Sequence, residues 1–226
     1  MSIDGTIVPK SRPRATGLKH LPRATRSFIA AGALAAAALA VIAGLTLAGA
    51  GPAGAPPPAK LEGTDVWAAG TQPAHPFALR DQNGRLISTD GLHGQIWAVT
   101  FMDSHCTRQC PIEARAISTT ERLLGSSYHL KVIVISVLPS YDTPHHIRVF
   151  ARKTGMTGDW HWLNGPKAQM AKIWREYGIL VITGVQHTAA LYLVDRRGDV
   201  RVADAIPFLP SQLASSVRAL SAHPRA

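Results

Sequence analysis

Cysteine is scarce in this chain, which has only two in 226 residues, Cys106 and Cys110. A disulfide between residues four positions apart closes a very short loop and removes little chain entropy from the unfolded state. A purely structural disulfide is therefore disfavoured. Because both thiols directly follow the apolar run 96–101, their placement indicates a functional site instead.

Acidic residues are also few, 14 against 24 lysines and arginines, which gives a formal net charge of +10. Half of this excess lies in residues 1–27, where a single acid, Asp4, faces six bases: Lys10, Arg12, Arg14, Lys19, Arg23 and Arg26. The rest is spread over the remaining chain. This distribution is typical of a membrane-topology signal, so we expect no nucleic-acid partner.

Residues 28–50 contain no charged side chain at all. About 20 apolar residues span the hydrocarbon core of a bilayer, whereas the apolar part of a secretory signal has about 7 to 15. We therefore predict an uncleaved, single-pass transmembrane anchor at 28–50, with the basic tail 1–27 in the cytoplasm and the rest on the extracytoplasmic side. The alternative is a long signal peptide cut near Ala48-Gly-Ala50. Both interpretations export the domain.

Residues 51–59 form a Pro-rich linker without core-forming side chains. The folded part is expected at 60–226, which is enough for one domain with a substantial core, and it has no internal repeat. Apolar runs alternate with helix-start and turn signals, which predicts an α/β fold with a central mixed sheet flanked by helices. We predict a hairpin over 75–88, strands at 96–101, 131–137, 189–194 and 200–203, and helices after Pro111, from Pro144, from Pro166 and over 213–220.

The two cysteines belong to the segment Cys106-Thr-Arg-Gln-Cys110-Pro111. Proline is accommodated in the first turn of a helix, so both thiols should lie at or just before a helix N-terminus. The helix dipole and Arg108 favour the thiolate there. A strand, a turn with two cysteines and a helix are the start of a thioredoxin-like βαβ unit. The CxxxC spacing has one residue more than CxxC, which favours ligand binding over fast disulfide exchange.

His187 is the third candidate site residue, in the loop before the strand 189–194. In a thioredoxin-like sheet this loop faces the cysteine turn, where ordinary thioredoxins place a cis-proline. No proline lies between Leu180 and Ile206 in this chain. Two thiolates and an imidazole form a soft, three-coordinate ligand set that suits Cu(I).

The chain resembles the Sco/SenC family of membrane-anchored copper proteins that serve cytochrome c oxidase assembly, over residues 76–208. Four blocks in order carry the resemblance: Phe101-x-x-Ser-His-Cys-x-x-x-Cys-Pro111, Ser136-Val-x-Pro-x-x-Asp-Thr-Pro144, Trp162-x-x-Gly165, and Val185-x-His187 followed by Tyr192-Leu-Val-Asp195. The resemblance implies a thioredoxin-like fold and Cys106, Cys110 and His187 as copper ligands, for Cu(I), Cu(II) or both. It also implies an outward-facing domain on an N-terminal anchor.

The chain departs from the family pattern at three positions. Thr107 and Arg108 stand where the family usually has Pro and Asp, and Leu138 stands where it has Asp. Arg108 leaves the three ligands intact, so we expect copper binding to survive. It inverts the local charge, which puts docking to the usual partner in doubt. His105 neighbours Cys106 on a loop, where adjacent residues seldom aim at one point, so we expect a supporting role.

Two other residues, Asp103 and Asp142, are expected to orient the loop or to act as turn and cap residues.

Three functions compete. The leading one is a metallochaperone, not primarily an enzyme, that delivers copper to the copper-centre subunit of a cytochrome c oxidase. The second is an extracytoplasmic thiol:disulfide oxidoreductase that reduces the cysteines of such a centre with Cys106 and Cys110. The third is a structural disulfide in an exported domain, since exported thiols tend to oxidise. A peroxidase of the peroxiredoxin kind is disfavoured because the approach to Cys110 lacks the usual Pro-x-x-x-Thr-x-x-Cys pattern.

Overall fold

The computed structural model describes residues 59–183 and 186–222. The predicted tail at 1–27, the anchor at 28–50 and all of the linker except residue 59 lie outside this part. Within it, no helix combines the length and the apolar character needed to cross a bilayer.

Most strands of the described chain join one six-stranded mixed sheet, in the order β1-β10-β9-β4-β5-β6. β4 and β5 pair in parallel, as do β5 and β6, whereas β9 runs antiparallel to both β4 and β10. Two hairpins, β2–β3 and β7–β8, lie outside this sheet. The strands are β1 (Asp65–Val66), β2 (Ala78–Arg80), β3 (Leu86–Ser88), β4 (Trp97–Met102), β5 (Lys131–Ser136), β6 (Trp160–Leu163), β7 (Val181–Thr183), β8 (Gln186–His187), β9 (Ala190–Val194) and β10 (Val200–Ala205).

The α-helices of the described residues are α1 (Gln109–Leu124), α2 (Pro144–Thr154), α3 (Lys167–Glu176) and α4 (Pro210–Ala222). Helix α2 begins behind Thr143, whose side chain accepts a hydrogen bond from the His146 amide. It ends at Gly155, which takes a left-handed conformation with φ 77° that other residues rarely adopt.

The central sheet separates two apolar layers. Every residue of β4 is buried, and alternate residues point to opposite faces. Ala98 and Met102 pack in one layer with side chains from α1, α2 and α4, and Val99 and Phe101 pack in the other with α3 and the β2–β3 hairpin. Both faces of the sheet are thus covered, as the apolar runs 96–101 and 131–137 predict.

The predicted hairpin, strands and helices are all present, and the structure adds the short strands β1, β6, β7 and β8. His187, predicted to lie in a loop, is in β8. The bounds of the β2–β3 hairpin also differ. The first strand of the β2–β3 hairpin begins at Ala78 rather than at residue 75, since Pro76 has no amide proton to donate to a partner strand. Strand β6 was not predicted, because its four residues, Trp-His-Trp-Leu, are too short a run to show a period.

The sheet topology fixes where the site forms. Because β4 and β5 are parallel, Met102 and Ser136 end their strands at the same edge. Strand β9 is antiparallel to β4, with Leu191 opposite Thr100, so the loop that enters β9 reaches this same edge. The cysteine turn after β4, the Asp142 loop after β5 and the His187 segment before β9 therefore converge.

Candidate functional site

The thiol pair lies between β4 and α1. Cys106 is in the connecting turn and is partly exposed, whereas Cys110 is the second residue of α1 and is 1% exposed. Both are free thiols. Pro111 lies in the first turn of the helix, where its missing amide proton costs no intrahelical bond. The prediction that both thiols lie at a helix start is confirmed.

Asp142 anchors the cysteine turn to the sheet. One of its carboxylate oxygens accepts hydrogen bonds from the Ser104 amide and hydroxyl, at 2.8 and 2.6 Å. The other accepts from the Ser136 hydroxyl at 2.6 Å and from the Trp162 indole at 3.2 Å. These four bonds tie the turn to β5 and β6, so the predicted role of Asp142 in orienting the loop is confirmed.

The two thiols differ strongly in acidity. The Cys110 thiol donates a hydrogen bond to the Cys106 sulfur. This bond and the hydrogen bonds from nearby backbone amides lower the pKa of Cys106 to about 5, although burial opposes the shift. One of these amides, that of Cys110 itself, lies 3.3 Å from the Cys106 sulfur. The same thiol–thiol bond and burial raise the pKa of Cys110. At neutral pH the pair is one thiolate and one buried thiol.

His187 lies in β8, opposite Val181 of β7. Its Nδ1 is 2.9 Å from the Thr188 carbonyl, to which it donates, and its Nε2 is 3.8 Å from an oxygen of Asp103. Burial alone would lower the pKa of His187, but Asp103 and the Thr188 carbonyl outweigh it, and the pKa is raised. Since Nδ1 is held by the carbonyl, Nε2 is the nitrogen available for a ligand.

Cys106 and His187 line the same open cavity, of about 930 Å³. Arg108 and two exposed apolar side chains, Ile112 and Ile182, also border it. Pro207, which follows a cis peptide bond, lines the cavity as well. A proline therefore borders the thiol site in this protein too, but it comes from the segment after β10.

The ligand atoms of Asp103, Cys106 and Cys110 lie within 4.8 Å of one another, the one such group among the described residues. His187 is outside this group but faces Asp103. His105 is also outside it and packs edge-on against Tyr141, with ring centroids 4.6 Å apart. The structure thus brings both predicted cysteines together, with Asp103 linking them to His187.

The sequence pattern predicts only a loop or cap role for Asp103, and it predicts no role for Glu113. Glu113 lies on α1 and is 1% exposed, next to the Thr100 hydroxyl. Burial raises its pKa to about 8, although the Thr100 hydroxyl opposes the shift. Its position three residues after Cys110, beside apolar neighbours on the helix, was the signal in the sequence.

A mixed sheet flanked by helices, with a free thiol pair at a helix start and a histidine across the same cavity, defines a thioredoxin-like protein with a thiol site able to hold a metal. The sequence profile of the SCO1/SenC family matches residues 68–221, and the chain belongs to this family.

Individual relatives agree with this assignment. The SCO1 protein homolog of Bacillus subtilis is 28% identical over 92 residues, which are 40% of this chain and 48% of the relative, so the match spans about half of that protein. ScoI of Bradyrhizobium japonicum, solved with copper bound, superposes with a TM-score of 0.55 at 28% identity, over 64% of this chain and 97% of ScoI.

Another solved structure is that of BsSco, a member of the Sco family of cytochrome c oxidase assembly proteins in which a disulfide switch was identified. It superposes with a TM-score of 0.58 at 20% identity, over 70% of this chain and 98% of its own. At this identity the likeness concerns the fold alone.

Proposed function

We propose that this protein holds copper through Cys106, Cys110 and His187 and delivers it to the copper centre of a cytochrome c oxidase. The observation that carries the proposal is the placement of a preformed Cys106 thiolate and the His187 imidazole, held by the Thr188 carbonyl, on one cavity. Family membership and the copper-bound ScoI relative support the choice of metal.

The donor set fits copper chemically. Thiolate sulfur and imidazole nitrogen are soft or intermediate ligands that select Cu(I) over hard cations. The Thr188 carbonyl fixes the His187 ring through Nδ1, as ligating histidines commonly require. Cys110 must lose its proton on binding, and His187 must be neutral, so copper uptake releases protons.

The opening of the cavity is suited to handing the ion on. Cys106 is the accessible sulfur, while Cys110 lies beneath it. Exposed Ile112 and Ile182 offer apolar surface beside the opening, and Arg108 contributes a positive charge. A partner that covers this opening would exclude water from the ion while its own ligands replace those of this chain.

A thiol:disulfide oxidoreductase is the second candidate, and one observation favours it. A partly exposed thiol of lowered pKa beside a buried thiol of raised pKa is the arrangement of an attacking and a resolving cysteine. In this function Cys106 attacks a partner disulfide, and Cys110 then displaces the partner, leaving an intramolecular disulfide and a reduced partner.

The His187→Ala variant separates the two functions. If copper is the cargo, removal of one of three ligands should weaken Cu(I) binding by about tenfold or more, whereas reduction of a model disulfide needs only the sulfurs and should change much less. His105→Ala is the matched control, since His105 lines the same cavity but packs on Tyr141. Unchanged copper affinity with a collapsed exchange rate, in a variant whose circular dichroism is native, would favour the oxidoreductase.

The membrane topology is part of the same proposal. An intact helix over 28–50 would hold the domain on the extracytoplasmic side, as the length of the apolar run and the basic residues before it suggest. N-terminal sequencing of the protein from membranes tests this. A mature chain that starts near Gly51 would refute the anchor.

A further inference from the structure

Asp103 is a buried carboxylate with one oxygen that no described residue satisfies. It directly follows β4, is 1% exposed, and one oxygen, Oδ1, has no hydrogen-bond partner among the described residues. The other oxygen lies 3.8 Å from His187 Nε2, longer than a hydrogen bond. A buried carboxylate oxygen without a partner is costly, so an unpaired oxygen among other ligand atoms indicates that Asp103 is placed to bind a cation.

The neighbouring acids behave differently. Asp142 is also buried, but both of its oxygens accept hydrogen bonds. Glu113 has an oxygen without a partner among the described residues, yet it is not in the group whose ligand atoms lie within 4.8 Å of one another. Asp103 alone of these three acids combines an unpaired oxygen with a position beside both sulfurs.

We propose that Asp103 is a fourth metal ligand, which completes a two-sulfur, one-nitrogen, one-oxygen set and shifts the preference of the site from monovalent toward divalent ions. This inference rests on the proposed function, since it adds one ligand to Cys106, Cys110 and His187.

Charge and ligand type both favour a divalent ion over a monovalent one at this site. Cu(I) with two thiolates carries one net negative charge, and a carboxylate adds a second, which is costly in a buried site. With a divalent ion the same four ligands leave only one negative charge. Carboxylate oxygen is also a harder ligand than sulfur, and four ligands with Cys, His and Asp donors are a common set for Zn²⁺.

The test measures two affinities in the reduced full-length chain. Zn²⁺ is used as a divalent ion without redox chemistry, and Cu(I) as the monovalent one, each by competition with a chelator. For Asp103→Asn we expect a Zn²⁺ affinity about tenfold lower or more and a Cu(I) affinity that is unchanged or higher. If Asp103→Asn also lowers the ratio of Cu(II) affinity to Cu(I) affinity tenfold, the reduction potential of the bound copper should be about 59 mV higher than in the wild type.

Glu113→Gln is the matched control, because it replaces a buried carboxyl group beside the same site, and it should leave the ratio of the two affinities as in the wild type. If the ratio of Zn²⁺ affinity to Cu(I) affinity in Asp103→Asn equals that of the wild type, the inference is overturned. If that ratio is unchanged because both affinities fall equally, Asp103 only positions His187. A wild type that binds neither ion contradicts the proposed function itself.

X-ray absorption of the zinc-loaded wild type does not depend on how the variant folds. Two sulfur and two nitrogen or oxygen neighbours are expected, and a single light neighbour would also overturn the inference.

Discussion

Glu113→Gln probes the buried layer beneath the thiol site. The Thr100 hydroxyl is close to one Glu113 oxygen and 3.2 Å from the Ala190 carbonyl. A hydroxyl has one proton, so both contacts can be hydrogen bonds at once only if a protonated Glu113 donates to Thr100. The geometry therefore agrees with the raised pKa: Glu113 is neutral in the folded protein at pH 7.

The sign and size of the effect follow from linkage. The pKa of Glu113 rises from 4.5 to about 8 on folding, so between these values the native state holds a proton that the unfolded state has lost. Stability from this group is fully present below pH 4.5 and is lost as the pH rises toward 8. From pH 5 to pH 8 the free energy of unfolding should fall by about 3 kcal/mol through Glu113 alone.

Urea unfolding of the reduced, metal-free protein at several pH values measures this effect. Gln does not titrate, so the stability of Glu113→Gln relative to wild type should rise by about 3 kcal/mol between pH 5 and pH 8. Other titrating groups cancel in this difference. Asp90→Asn, which removes an exposed carboxylate, is the control. A constant difference between Glu113→Gln and wild type across this pH range would refute the reasoning.

Three further predictions concern the thiols and their loop. The rate of alkylation of Cys106 in the reduced, metal-free protein should be nearly independent of pH above about pH 6 and should fall about tenfold per pH unit below pH 5. A rate that still rises between pH 7 and pH 9 would contradict the lowered pKa. Oxidation of Cys106 and Cys110 to a disulfide should abolish Cu(I) binding, and bound Cu(I) should protect both from alkylation; equal copper uptake by the two forms would exclude a shared site. Asp142→Asn should lower the free energy of unfolding by about 2 kcal/mol, because an amide cannot accept all four hydrogen bonds that the carboxylate accepts. Urea unfolding measures this loss. A variant as stable as wild type would show that these bonds do not anchor the turn.

Much of the fold could be predicted from local patterns. The β-branched run 131–137 and the apolar run 96–101 predict the two central strands, and Pro111 predicts the helix start that holds the thiols. These signals are strong because each reports a constraint on the backbone itself. Strand β6 carried no such signal, since it is a strand only because β5 offers it a parallel partner.

The candidate site was predictable in its residues but not in its contacts. An acid after a strand, such as Asp103, has the sequence pattern of a turn residue, and nothing local indicates that its side chain is buried beside two sulfurs. Its approach to His187 depends on the antiparallel register of β9 against β4, a long-range property. Glu113 is buried only because α1 packs over Thr100.

X-ray absorption at the copper edge of the reduced, Cu(I)-loaded protein tests the central claim most directly. The proposed site predicts one copper per chain with two sulfur neighbours, from Cys106 and Cys110, and at least one nitrogen neighbour that disappears in His187→Ala. Copper held by two sulfurs alone, with a spectrum that does not change in His187→Ala, would contradict the assignment of His187 as a ligand.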